Sequence, residues 1–177
     1  MGSIQERIVT RSHARLAATV VGAALTGYAA IAPPAAAAPW GFSAEVGGIV
    51  SGAGGNPFVF RLTPAKMLSD EFSLGASFYF TPAGDAQMHS GSFLAQYRIR
   101  LQNAGVTPFF GIGVVHRRSV DDSDTAFMFP IGTSIELPVG QELSLMGTLS
   151  INIHDIELDG EQDGVSGGVT FGIDYAP

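Results

Sequence analysis

The chain has 177 residues, of which 46% are hydrophobic and only 14% charged, with a formal net charge of −7 and no cysteine. A typical globular domain is about 25% charged, and here Lys66 is the only lysine, so the material for an ordinary water-facing surface is missing. The acidic balance excludes nucleic-acid binding by phosphate neutralisation. The lack of cysteine excludes a disulfide framework, a thiolate metal site, a catalytic thiol and a lipid-modified cysteine anchor.

The first segment reads as an address. Arg7, Arg11 and Arg15 precede an apolar, small-residue run from Leu16 to Ile31, followed by Pro33-Pro34 and Ala35 to Ala38. That order is the one of a secretory signal peptide. Cleavage is expected after Ala37, because a cut after Ala38 would leave Pro39 at the disfavoured position behind it. Residues 1–37 are then removed, and residues 38–177 form one exported domain of 177 − 37 = 140 residues. It keeps six basic and fifteen acidic residues, a net of 6 − 15 = −9. Past residue 38 no stretch approaches the roughly 20 apolar residues of a membrane-spanning helix.

The exported part alternates with period two between Gly, Pro, Asn and Asp signals, the pattern of strands. Trp40 to Val50 opens it, with Trp40, Phe42, Ala44 and Val46 opposite Ser43, Glu45 and Gly47. Phe58 to Lys66 follows, then Phe72 to Phe80, in which Phe72, Leu74, Ala76, Phe78 and Phe80 share a face. A fourth strand spans Ser92 to Leu101, a fifth Val106 to His116, and a sixth Phe127 to Leu137. Leu143 to Ile153 and Val165 to Tyr175 complete eight. Pro64 and Pro130 each remove a ladder donor and predict a bulge or an early strand end.

The connections alternate in length. Residues 69–71, 103–105 and 138–141 form tight turns, whereas Ser51 to Pro57, Thr81 to Gly91, Arg117 to Asp124 and His154 to Gly164 form longer links. Short turns on one rim and loops on the other are the layout of an outer-membrane barrel, turns periplasmic and loops outside.

The two faces of the strands differ in kind. One is dense in Phe, Leu, Ile and Val; the other is mostly Gly, Ser and Thr, a poor solvated exterior but a suitable filling for a narrow bore. By parity Glu45, Arg61, Arg98, Arg100, Glu136 and Asp174 all fall on the less apolar face, three cations and three anions that can pair inside. An arginine facing lipid at mid-membrane would cost about 2–4 kcal/mol, so this segregation is what a membrane barrel requires. Lys66 alone takes the apolar parity, at a strand end from which it can snorkel. Trp40, Phe42, Phe72, Phe110 and Tyr175 predict a belt at the turn side, and Phe58, Phe60, Phe78, Phe80, Phe93, Phe127 and Phe129 one at the loop side. The reading is an all-β, eight-stranded antiparallel up-and-down transmembrane β-barrel.

On these residues the chain resembles the small eight-stranded outer-membrane β-barrel proteins, the OmpA/OmpX-like barrel group, over residues 40–175. The most specific element is the last strand, Val165 to Tyr175, where Phe171, Ile173 and Tyr175 resemble the C-terminal signal read by the barrel-assembly machinery. In the group the aromatic usually ends the chain; here Ala176-Pro177 follow it. The resemblance implies an integral protein of the bacterial outer membrane, in contact with its lipids and lipopolysaccharide, with a structural or surface role carried by the loops.

Residues for chemistry are sparse. His89-Ser90, His116 and His154-Asp155 are the candidates for a nucleophile and base, but a Ser-His-acid group is defined by geometry rather than spacing. No catalytic residue, cofactor site or metal site is therefore assigned. Residues 154–163 hold five carboxylates, and Asp121, Asp122 and Asp124 add three more, in a spacing that matches no EF-hand. Three rivals to a loop-bearing, non-enzymatic barrel stay open: a soluble exported barrel around a small apolar ligand, a narrow channel, and a lipid-modifying enzyme.

Overall fold

The computed structural model describes residues 39–51, 56–81, 87–158 and 160–176, so the expected signal peptide lies outside it. Eight strands follow in chain order: β1 Trp40–Ser51, β2 Phe58–Met67, β3 Phe72–Phe80, and β4 Gln87–Tyr97 with a short continuation at Ile99–Arg100. Then come β5 Gly105–Arg118, β6 Ser123–Pro138, β7 Leu143–Leu158 and β8 Glu161–Tyr175. Each strand pairs antiparallel with its neighbours in sequence, and β1 pairs with β8, so the sheet closes into an up-and-down barrel.

The register sets the shape. Stepping from partner to partner, Trp40 leads to Lys66, Leu74, Ala95, Phe110, Ile131, Ile151 and Gly167, and the circuit returns to Val50. It comes back 50 − 40 = 10 residues further along β1, a shear of ten for eight strands. With about 3.3 Å per residue and about 4.8 Å between strands, the strands tilt by about 40°, and the bore is narrow enough for side chains to fill. The tilt also corrects the aromatic belts. Phe110 is carried to mid-wall, with Phe78 and Phe93 near the same height, because neighbouring strands climb relative to one another. Trp40, Phe42, Phe72 and Tyr175 stay at the turn side; Phe58, Phe80, Phe127 and Phe129 stay at the loop side.

The prolines do not bulge or end their strands. Pro64 keeps its partner Phe42 in β1, while the β2–β3 ladder skips from Leu62↔Phe78 to Ala65↔Gly75. Pro130 keeps Asn152 in β7, while the β5–β6 ladder skips from Phe110↔Ile131 to Gly113↔Met128. Pro108 acts likewise: it keeps Thr133, and opposite it the β4 ladder lapses around Arg98. A proline lacks the one N–H that would reach a single neighbour, so rungs are lost on one side and register survives. The real irregularity falls between Ile153 and Ile156, where β7 carries one residue more than β8.

Two of the longer links prove shorter than the sequence suggests. The β5–β6 link is a turn at 119–122, closed by Ser119 N–H donating to the Asp122 carbonyl at 2.9 Å. The β7–β8 ladder runs on to the pair Leu158 and Glu161, and Gly160 between them has φ 79°, where a side chain would be strained. Alternation simply continues past the wall, which turn-rich composition concealed. As a result β5 to β8 rise above the rim reached by β1 to β4.

Gly132 shows how tightly the bore is filled. A Cβ there would lie 2.3 Å from the Leu149 carbonyl oxygen and 2.5 Å from the Phe109 ring. Gly132→Ala is expected to destabilise the barrel by about 1–3 kcal/mol, read as a lower urea midpoint for the folded band on unboiled gels.

Candidate functional site: the sealed lumen and the outer rim

The wall is inside out relative to a water-soluble domain. Among the described residues 31 large apolar side chains are exposed and 11 buried, while Glu45, Arg61, Arg117, Glu136, Asn152, His154 and Asp163 are buried. From Trp40, Phe72, Leu137 and Leu143 up to Phe58, Phe127 and Val165, the exposed apolar side chains form a band about 25 Å tall by the register and tilt.

Inside, the polar groups lie in layers. At the turn side Arg98 Nε stands 3.2 Å from Glu136 Oε2, and its Nη2 stands 3.0 Å from Asp174 Oδ2. Thr107 donates to the other Glu136 oxygen at 2.7 Å. Because β4, β6 and β8 are not neighbours, this guanidinium ties three parts of the wall across the bore. A cavity of about 30 Å³ lies here, lined by Ser43, Thr63, Gln96 and these charges; it has room for about one or two waters.

Half-way up, Arg61 Nη1 faces Glu45 Oε1 at 3.3 Å, with both side chains almost wholly buried. Arg61 Nε donates to Ser77 at 3.0 Å, and Thr170 donates to Glu45 Oε2 at 2.6 Å. The guanidinium carbon lies 5.3 Å from the Tyr79 ring centre and 5.0 Å from that of Phe109, so two rings cover the charge. Gly132 makes the room that Phe109 occupies.

Above this pair apolar side chains enter the bore beside the buried Ser90, Asn152, His154 and Ser166. Ile49, Val59, Tyr79, Met88, Val115, Met128, Ile156 and Leu158 form one buried cluster. Parity predicts a filling that is mostly Gly, Ser and Thr; toward the loop side a hydrophobic plug joins it. Beside it, near the outer mouth, Arg117 Nη1 meets Asp163 Oδ2 at 2.7 Å, and Ser51 bonds to both. Burial lowers the Arg117 guanidinium from its ordinary value, and the charge and hydrogen bond of Asp163 oppose that shift. This layer stands above the apolar band, where the outward side chains are Arg118, Asp155 and Glu157.

Of the six charges expected inside, the structure brings Glu45 together with Arg61, and Arg98 with Glu136 and Asp174. Arg100 is a correction. It is exposed, and its Nη2 donates to the Asp70 carbonyl at 3.3 Å, because β4 runs on past the rim before it turns. Arg117, Asp163 and His154 fall in the longer links by sequence, yet their side chains are buried. Arg117 shares the parity of Phe109, Gly111 and Gly113, a signal that continuing β5 would have caught. Asp163 has the wrong parity for the interior, and only the extra residue in β7 brings it inward.

The candidate nucleophile and base groups do not converge. Ser90 faces the bore and His116 faces outward, on opposite sides of the wall. His154 Nε2 lies 3.1 Å from Ser166 Oγ and its Nδ1 lies 3.0 Å from the Asp163 carbonyl oxygen, all buried. The acidic residues are likewise divided: Asp163 points in, whereas Asp155, Glu157 and Glu161 are exposed. Phe171, Ile173 and Tyr175 lie outward on β8 and exposed.

No family model and no curated protein sequence matches the chain. Among solved structures it is similar to Neisserial surface protein A, at 14% identity over 78% of this chain and 96% of that one, with a TM-score of 0.51. It is also similar to a major outer membrane protein from Thermus thermophilus, at 16% identity over 77% of this chain and 98% of that one, again with a TM-score of 0.51. The chain has the fold of the small eight-stranded outer-membrane β-barrels.

Within such a barrel the central pair gives a sharp test of interior electrostatics. Glu45→Gln leaves Arg61 buried without its counter-charge and is expected to cost about 3–5 kcal/mol. The double variant Glu45→Gln, Arg61→Met is expected to regain most of that loss, measured as urea midpoints in a double-mutant cycle.

Proposed function

We propose that the chain is an integral protein of the bacterial outer membrane, non-enzymatic, with a structural or surface-interaction role. The observation that carries this reading is the continuous outward apolar band, about 25 Å tall, around a bore whose charges are internally paired. Water solvates such a wall poorly, whereas lipid matches it. Both similar structures are, by name, surface or outer-membrane proteins, which supports the location.

In this reading the wall contacts membrane lipids and lipopolysaccharide, and residues 1–37 direct export. Phe171, Ile173 and Tyr175 present the alternating outward row that the barrel-assembly machinery would read, although Ala176 continues beyond it and donates to the Glu142 carbonyl at 2.9 Å. The tight turns face the periplasm, and the raised ends of β5 to β8 face outward with Asp155, Glu157 and Glu161. The absence of catalysis is supported by the separation of Ser90 from His116 and by the burial of Ser166, whose exposure is 1%. The same packing disfavours a ligand-holding interior or a channel: two paired charge layers and an apolar plug cross the bore.

Membrane extraction tests the location. The protein is expected to stay with the membrane through a carbonate wash and to migrate faster unboiled than boiled; release without detergent would refute membrane integration. In planar bilayers no stable conductance is expected from the purified barrel, and a steady single-channel current would overturn the sealed-lumen reading.

A further inference from the structure

We propose that His89 and His116 form a two-histidine site for a divalent transition-metal ion on the outer rim of the wall. The two residues are direct partners in the β4–β5 register. Directly opposed residues of antiparallel strands place their Cβ atoms about 4.5–5.5 Å apart. Two imidazole nitrogens that share one ion at about 2.0–2.1 Å each stand roughly 3–4 Å from one another, a span such a pair can close. Both side chains lie on the outward face. His89 is exposed and flanked by Phe80 on β3; His116 is flanked by Thr125 on β6.

The second observation is the hydrogen bond of His116. Its Nδ1 lies 2.8 Å from Thr125 Oγ1. A metal-binding histidine typically donates its other ring N–H in this way, and with Nδ1–H donated to Thr125 the Nε2 lone pair is the ligand. His154 offers no such nitrogen, because Asp163 and Ser166 engage both of its ring positions.

Height in the wall fits the site to an ion from solution. The pair lies at the upper edge of the apolar band, below the outward pair Gln87 and Arg118. An ion held between the two rings takes two coordinate bonds from the wall, and water completes the shell. Imidazole ligands and an open shell suit copper, nickel or zinc rather than calcium or magnesium.

The test uses the full chain refolded in detergent, titrated with copper(II) chloride and followed by electron paramagnetic resonance. The expected result is a single site with the signature of two imidazole nitrogens. His89→Ala and His116→Ala are each expected to remove that signature, with folding checked by the shift between unboiled and boiled protein on gels. Thr125→Val is expected to keep the two-nitrogen signature and weaken binding about tenfold. No copper binding by the wild-type barrel, or a two-nitrogen signature that survives in either folded alanine variant, would overturn the proposal.

Discussion

A sheet that turns its apolar side outward must satisfy its backbone polar groups within itself, and closing the ring is how this chain does so. Pairing of β1 with β8 leaves no free edge along the joined part of the wall. Everything else adjusts to that closure. Three prolines are tolerated in central strands because each gives up rungs toward one neighbour only and leaves the register intact. Elsewhere such residues mark edges, but a closed ring has none to offer.

Closure at a shear of ten also dictates what can be inside. The bore is too narrow for a water column and too wide to be left empty, so it is filled in layers. Charges can enter only in mutually compensating groups. Arg98 is shared by two carboxylates; Arg61 has one partner and two aromatic covers. The Arg98 contacts and the packing of Phe109 on Arg61 link strands far apart in the ring, so the interior holds cross-braces as well as a filling. The glycines at close-approach positions serve the same end, and Gly132 is the clearest, since it yields its volume to the ring that shields Arg61.

Most of the wall was legible in the sequence because a period of two is a local property. Strands β1, β2, β3, β5 and β7 start at or within one residue of the expected positions, and five of the six anticipated interior charges lie inward. What escaped was non-local. The height of Phe110 depends on the tilt of the whole ring. The inward turn of Asp163 depends on one extra residue in its partner strand, and the plug depends on which apolar side chains meet from several strands at once. Arg100 had the right parity in the wrong place, since parity knows nothing of where the rim ends. His154 was obscured by its acidic neighbours, whose composition imitates a loop while their backbone continues the ladder.

The raised ends of β5 to β8 have a consequence for any molecule that meets this protein from outside. An exposed tip carried on a long irregular loop must be ordered when it is bound, and that ordering weakens the complex. Here the acidic tip between Leu158 and Glu161 is carried by paired backbone and anchored beneath by Arg117 and Asp163. That rim surrenders its conformational entropy during folding, so its outward side chains can change without disturbing the scaffold that holds them.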